Sequence, residues 1–274
     1  MFSFFRKRRN VATAPQPAHT GQDGIAEDLW KRVEANLPFL DFLSAADRMR
    51  LRRCAQAFLQ EKEFHGANGF ELSDEVMLSI ALQASLLVLN IGLQAYRGWV
   101  GIVVYPGEIM IARQEMDEDG IVHEYDDTVL GEAWEDGPVL LAWEASVEEE
   151  GPPDTAPPNV VIHEFAHKLD MLEGGADGCP ALHREMSRAR WAEVFQTAYD
   201  AFCDQLDAGT PGTVLDPYAA EHPAEFFAVT SEAFFEAPQQ LAEAFPEVYE
   251  QLALFYRLDP LAGLQGFTCC AAPV

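Results

Sequence analysis

Residues 160–170, Val-Val-Ile-His-Glu-Phe-Ala-His-Lys-Leu-Asp, constrain this chain more than any other stretch. The apolar run predicts a buried helix. A rotation of 3.6 residues per turn then puts His163 and His167 on one face, one turn apart, where both imidazoles reach a single cation. Unpaired, each buried imidazole would cost roughly 1–3 kcal/mol, so the fold has to bring partners to that face. Zinc suits two imidazoles, being borderline-soft and tetrahedral, and an open fourth position lowers the pKa of its water to about 7. Glu164, next to the first histidine, is placed to hold that water. The chain has 7 histidines in 274 residues, so chance would produce His-Glu-x-x-His on the order of 0.01–0.02 times in such a chain.

Two histidines are too few for a catalytic zinc, which takes three protein ligands. A third histidine six residues on, preceded by a glycine, would complete one arrangement, but Asp170 and Glu173 stand at those positions. Asp170 is better placed as an acceptor for an imidazole N–H. The remaining source is a later helix. Residues 216–236 offer Glu221, Glu225, Glu232 and Glu236, and Glu225 and Glu232 are seven apart on one face among Phe226, Phe227, Val229, Phe234 and Phe235. A carboxylate inside such a helix must be neutralised, paired or metal-bound, which leaves both as candidates. Tyr218 lies seven residues before Glu225. It is either a core tyrosine or a phenol that donates to a developing oxyanion.

With 49% hydrophobic residues over 274 positions, the chain has ample material for a core. The pattern runs helices, then a small sheet, then helices, which gives an α+β class. Helices are expected at Ile25–Leu37, Ala45–Gln60, Ser73-capped 74–93, 159–172, 183–206, 216–236 and 246–258. Trp99–Tyr105 and Glu108–Arg113, split by Pro106-Gly107, read as a hairpin or two short strands, with a third at Val139–Trp143. The acidic stretch Met116–Gly137, which contains His123, reads as a long loop. Residues 1–24 read as a basic disordered tail, 25–262 as one domain (25–147, then 158–262) and 263–274 as a C-terminal tail.

The net charge is −27, and residues 108–150 hold 15 acidic side chains against Arg113 alone. Nucleic acid and membrane surfaces are therefore excluded as partners of the folded body, whereas substrates with a free α-amino group or basic residues are favoured. Five cysteines without a CxxC pair, and no secretory signal, point to reduced thiols and the cytoplasm.

Taken together, His163-Glu-Phe-Ala-His167-Lys-Leu-Asp170 and Asp216-Pro-Tyr218-Ala-Ala-x-x-Pro-Ala-Glu225-Phe-Phe-Ala-Val-x-Ser-Glu232-x-Phe-Phe resemble the Mlc titration factor family of bacterial zinc metallopeptidases. The resemblance runs from about residue 25 to 262, and includes Gly69-Phe-Glu-Leu72 and Gly137–Trp143. It implies that His163, His167 and Glu225 bind Zn2+, that Glu164 is the general base and that Tyr218 supports the transition state. It also implies that His123 reaches the zinc in a resting form. The same core is similar to the catalytic domain of anthrax lethal factor, which shares the Tyr-to-Glu spacing of seven. The implied activity is peptide hydrolysis with an aminopeptidase-like preference. The implied partner is Mlc, the glucose repressor after which the family is named, so a non-catalytic anti-repressor that keeps its zinc site is the alternative expectation.

Overall fold

The computed structural model describes residues 25–116, 122–143, 158–209 and 212–269, and side chains for all of these except 112–116, 122–125 and 265–269. The chain opens with α1 (Glu27–Ala35), α2 (Ala45–Glu61), β1 (Glu63–Gly66) and α3 (Asp74–Leu87). Five strands follow: β2 (Gly101–Tyr105), β3 (Ile109–Met116), β4 (Val122–Val129), β5 (Gly131–Ala133) and β6 (Val139–Ala142). Helices complete it: α4 (Val160–Asp170), α5 (Arg188–Asp207), α6 (Pro223–Glu236), α7 (Pro238–Ala244), α8 (Pro246–Tyr256) and α9 (Pro260–Cys269). The class is α+β, as the pattern of apolar residues predicts.

Helix limits follow local chemistry. The side chains of Ser44, Ser73, Asn159 and Ser187 each accept the backbone N–H three residues on, and so cap α2, α3, α4 and α5. Each of α6 to α9 starts on a proline, whose fixed φ suits the first helical position and whose missing N–H costs nothing there. Pro223 is also why residues 216–236 are not one helix. A 3-10 turn, Pro217–Ala220, precedes α6 and carries Tyr218.

Of the two readings of residues 99–113, the structure bears out two separate strands rather than a hairpin, and it corrects the long acidic loop. β2 does not pair with β3. It lies between β1 and β6, parallel to both, in the order β1-β2-β6-β5, with β5 antiparallel to β6 at the edge. Pro106-Gly107 carries the chain out of that sheet, and β3 pairs antiparallel with β4 from Ile109 opposite Val129 to Met116 opposite Val122. Much of the stretch read as an acidic loop is therefore strand. Its charge hid the strands, because period-2 alternation shows only when one face is apolar. β1 went unread because it is only four residues long, with Phe64 its one buried side chain. In addition, α9 continues past residue 262, so residues 263–269 are helical, and a Cβ at Gly263 would come within 2.9 Å of Phe42 Cβ.

Two aromatic clusters fix the helices that matter for the site. Phe165 of α4, fully buried, meets Phe58 at 5.6 Å and Tyr96 at 5.2 Å between centroids, both edge-on. Phe226 and Phe227 of α6 pack on Phe195 and Trp191. Each such ring contributes about 1.5–3 kcal/mol by burial alone. With Phe165 held on one side, the remaining faces of α4 turn toward α6 and toward the β5–β6 hairpin.

Candidate metal centre

α4 and α6 cross so that three donors converge. His163 Nε2 is 3.0 Å and His167 Nε2 is 3.2 Å from Glu225 Oε2, and the two imidazole nitrogens are 3.1 Å apart. Three ligands of a tetrahedral ion at 2.0–2.1 Å would stand about 3.3 Å from one another, so the triangle has the size of a zinc ligand set. Among the described residues it is the one group of three or more His, Cys, Asp or Glu side chains whose ligand atoms converge in this way.

Glu232 takes a different place. Its Oε1 accepts from His163 Nδ1 at 2.8 Å and its Oε2 accepts from the Asn159 N–H at 2.6 Å, behind the ring rather than in front of it. The seven-residue spacing thus puts one carboxylate on each side of the same imidazole. A proton on Nδ1 directed at Glu232 leaves His163 Nε2 as the atom facing Glu225. A lone pair opposed to a carboxylate oxygen at 3.0 Å is repulsive, so a positive charge belongs at the triangle's centre. Without a metal, a proton supplies it. Burial opposes charging His163, but the carboxylates of Glu225 and Glu232 hold its pKa well above the usual imidazole range. Burial likewise works to raise Glu225, and the two imidazoles override it and hold its carboxyl well below the carboxylate range. A cation bound here replaces that proton.

Glu164 stands outside the triangle, on the face of α4 that meets β5. Burial pushes its carboxyl up to about 7 against the pull of both imidazoles, and its Oε2 has no hydrogen-bond partner among the described residues. A Cβ at Gly131 would lie 2.6 Å from Glu164 Cγ, so the strand runs directly against this side chain. Tyr218 is 45% exposed, which excludes the core reading, and its ring centre is 6.0 Å from that of His163. Burial of its hydroxyl and the charges of Glu225 and Glu221 raise its pKa, keeping the phenol protonated and able to donate.

Other expected residues fall elsewhere. Asp170 does not accept from an imidazole: its Oδ2 accepts from the Gly178 N–H at 2.8 Å, and His167 Nδ1 has no partner among the described residues. Glu173 pairs with Arg188 at 3.4 Å on the surface, and Glu236 accepts from Asn159 Nδ2 at 2.7 Å. The His123 side chain lies outside the described residues; its backbone is in β4, opposite Glu115. Gly131 carried no signal in the sequence, because only the approach of β5 to α4 gives it a role.

The donor set fits the comparisons with known proteins. The family model for the glucose-regulated metallo-peptidase M90 matches residues 6–257. An uncharacterised protein of Synechocystis sp., slr2042, is 42% identical over 240 residues, covering 85% of this chain and 84% of that one. Mlc titration factor A of Yersinia pestis (strain Pestoides F) is 37% identical over 232 residues, covering 84% of each. With a family model spanning most of its length and relatives at this identity, the chain belongs to the M90 family of glucose-regulated metallo-peptidases.

Proposed function

We propose that the protein is a zinc-dependent peptidase of aminopeptidase type, in which His163, His167 and Glu225 hold the metal. The observation that carries this reading is the triangle of two imidazole nitrogens and one carboxylate oxygen, with a buried carboxylate, Glu164, on the next face of the same helix. When bound, zinc supplies Lewis acidity toward the scissile carbonyl and lowers the pKa of the attacking water. Glu164 takes that water's proton and delivers it to the leaving amine, a task suited to a carboxyl that burial raises to about 7. Tyr218 donates its O–H to the developing oxyanion. Glu232 holds the His163 ring in the tautomer that presents Nε2.

β5 is the edge of its sheet, so an extended peptide backbone can add to it with the scissile bond over Glu164. The charge of Glu132 acts on Glu164 and that of Asp127 acts on Tyr218, a negative field that attracts a substrate's α-ammonium group. His123 serves as an additional ligand in a resting form. The cytoplasm is the proposed compartment, with Cys54, Cys179 and Cys203 as free thiols. No helix among the described residues is long and apolar enough to cross a membrane.

The test is zinc content measured together with hydrolysis of a panel of aminoacyl reporters, with and without chelator. Glu164→Gln should keep the metal and lose about 10³-fold in turnover. Retained activity refutes the assignment. A second reading draws on the relatives named Mlc titration factor A: the protein binds the Mlc repressor and acts by sequestering it. Glu164→Gln separates the two, since a variant that binds the repressor without cleaving peptides assigns titration to the surface rather than to the chemistry.

A further inference from the structure

α4 presents a second functional face. Glu164 and Lys168 are one turn apart, and both point at the β5–β6 hairpin rather than at α6. Glu164 meets the strand at Gly131, and Lys168 meets the turn that follows. The Lys168 ammonium donates to the carbonyls of Trp134, Glu135 (3.4 Å) and Gly137 (3.0 Å) and stands 4.7 Å from the centre of the Trp99 ring. It is only 2% exposed, and it makes no salt bridge among the described residues. A buried ammonium is costly unless every donor is used, and an apolar side chain of similar length would fill the space at less cost. Lys168 spends all three donors on one turn.

That turn is built to face inward. The Gly137 N–H donates to Trp134 O at 3.1 Å and the Trp134 N–H to Pro138 O at 3.2 Å, and a Cβ at Gly137 would come within 2.9 Å of Trp134 Cβ. It joins β5 directly to β6, with Ala133 opposite Val139 and Gly131 opposite Leu141. Fixing the turn to α4 therefore fixes the distance between the backbone at Gly131 and the carboxylate of Glu164. A second buried ammonium, Lys62, lies 3.7 Å from the centre of the same Trp99 ring but donates to Tyr96 O and Trp99 O (2.7 Å) instead.

We infer that Lys168 is a positioning residue: it staples the β5–β6 turn to the metal helix and so sets the edge strand against the Glu164 carboxylate. Only the catalytic consequence rests on the proposed peptidase activity. The test is Lys168→Met, followed by hydrogen exchange in the metal-free and the zinc-loaded protein. The expected result is exchange at least tenfold faster for amides in 131–137, with those of α6 and α8 unchanged and zinc affinity within threefold of wild type. In the loaded enzyme kcat should fall at least tenfold while KM stays within threefold. Lys62→Met, which keeps the staple, should leave exchange in the turn as in wild type. Should Lys168→Met fail to fold, Lys168→Gln, which retains two donors, should give an intermediate acceleration at the same amides. Unchanged exchange at 131–137, or an acceleration spread evenly over α4, α6 and α8, overturns the inference. A wild-type protein that binds zinc and cleaves no peptide sinks the peptidase reading and leaves the exchange result to decide on Lys168.

Discussion

Replacing Gly131 by Ala tests whether the strand sets the position of the Glu164 carboxylate. The added Cβ would sit 2.6 Å from Glu164 Cγ and 2.8 Å from Cδ, with Oε1 closer still, where ordinary contact begins at 3.4 Å. The carboxylate must therefore withdraw by about 1 Å, and a misplacement of that size costs about 10²-fold in rate, equivalent to about 2.7 kcal/mol in the barrier. The backbone has no objection, because Gly131 is outside the left-handed region, and a stiffer unfolded chain offsets part of the local crowding. Crowding of this kind costs about 1–3 kcal/mol and the stiffer unfolded chain offsets up to about 1, so stability should fall by no more than about 2 kcal/mol. The assay pairs kcat/KM on an aminoacyl reporter with zinc stoichiometry and a thermal melt. A loss of about 100-fold with full zinc and a cooperative melt lowered by only a few degrees is the expected outcome. Activity within threefold of wild type would mean that the strand does not set the position of the base.

Other perturbations test other parts of the site. Glu232→Gln keeps the shape but weakens the acceptor behind His163, so zinc affinity measured by chelator competition should drop 10–100-fold, roughly the range for such supporting groups. An unchanged affinity would remove Glu232 from the site. In the metal-free protein, burial raises the Asp170 carboxyl to about 6 from an ordinary value of 3.8. A raised folded pKa means that its contribution to stability is complete below 3.8 and is lost as pH climbs through 6. Asp170→Asn, which keeps an acceptor for the Gly178 N–H, should therefore gain on wild type between pH 4 and 7, by up to about 2–3 kcal/mol. Parallel stability curves for the two proteins in urea would contradict this. Finally, His123→Ala should turn over faster than wild type if the histidine closes a resting form, and an enzyme no faster would discard the gating idea.

Some of the site was legible along the chain because helical spacing is a local property. His163 and His167 at four residues, and Glu225 and Glu232 at seven, each had to share a face whatever the rest of the fold did. Sequence also supplied the cap at Ser73 and the α+β class, whereas the caps at Ser44, Asn159 and Ser187 came from the structure. It could not choose between the two glutamates, since both are equivalent by period, burial and neighbours. The crossing of α4 and α6 made the choice, placing Glu225 before the imidazole and Glu232 behind it. The acidic strands escaped detection because β-pairing is made with a distant partner and leaves little local trace when both faces are polar.

The division has a physical basis. Sequence alone determined that two imidazoles would share one face of a buried helix, because four residues make about one turn, and that the cost of burying them unpaired demands a charge-bearing partner. Only the tertiary structure decided which carboxylate completes the triangle, and why Gly131 and Lys168 matter. These depend on distances of closest approach between segments far apart in the chain, which packing fixes and no periodicity encodes.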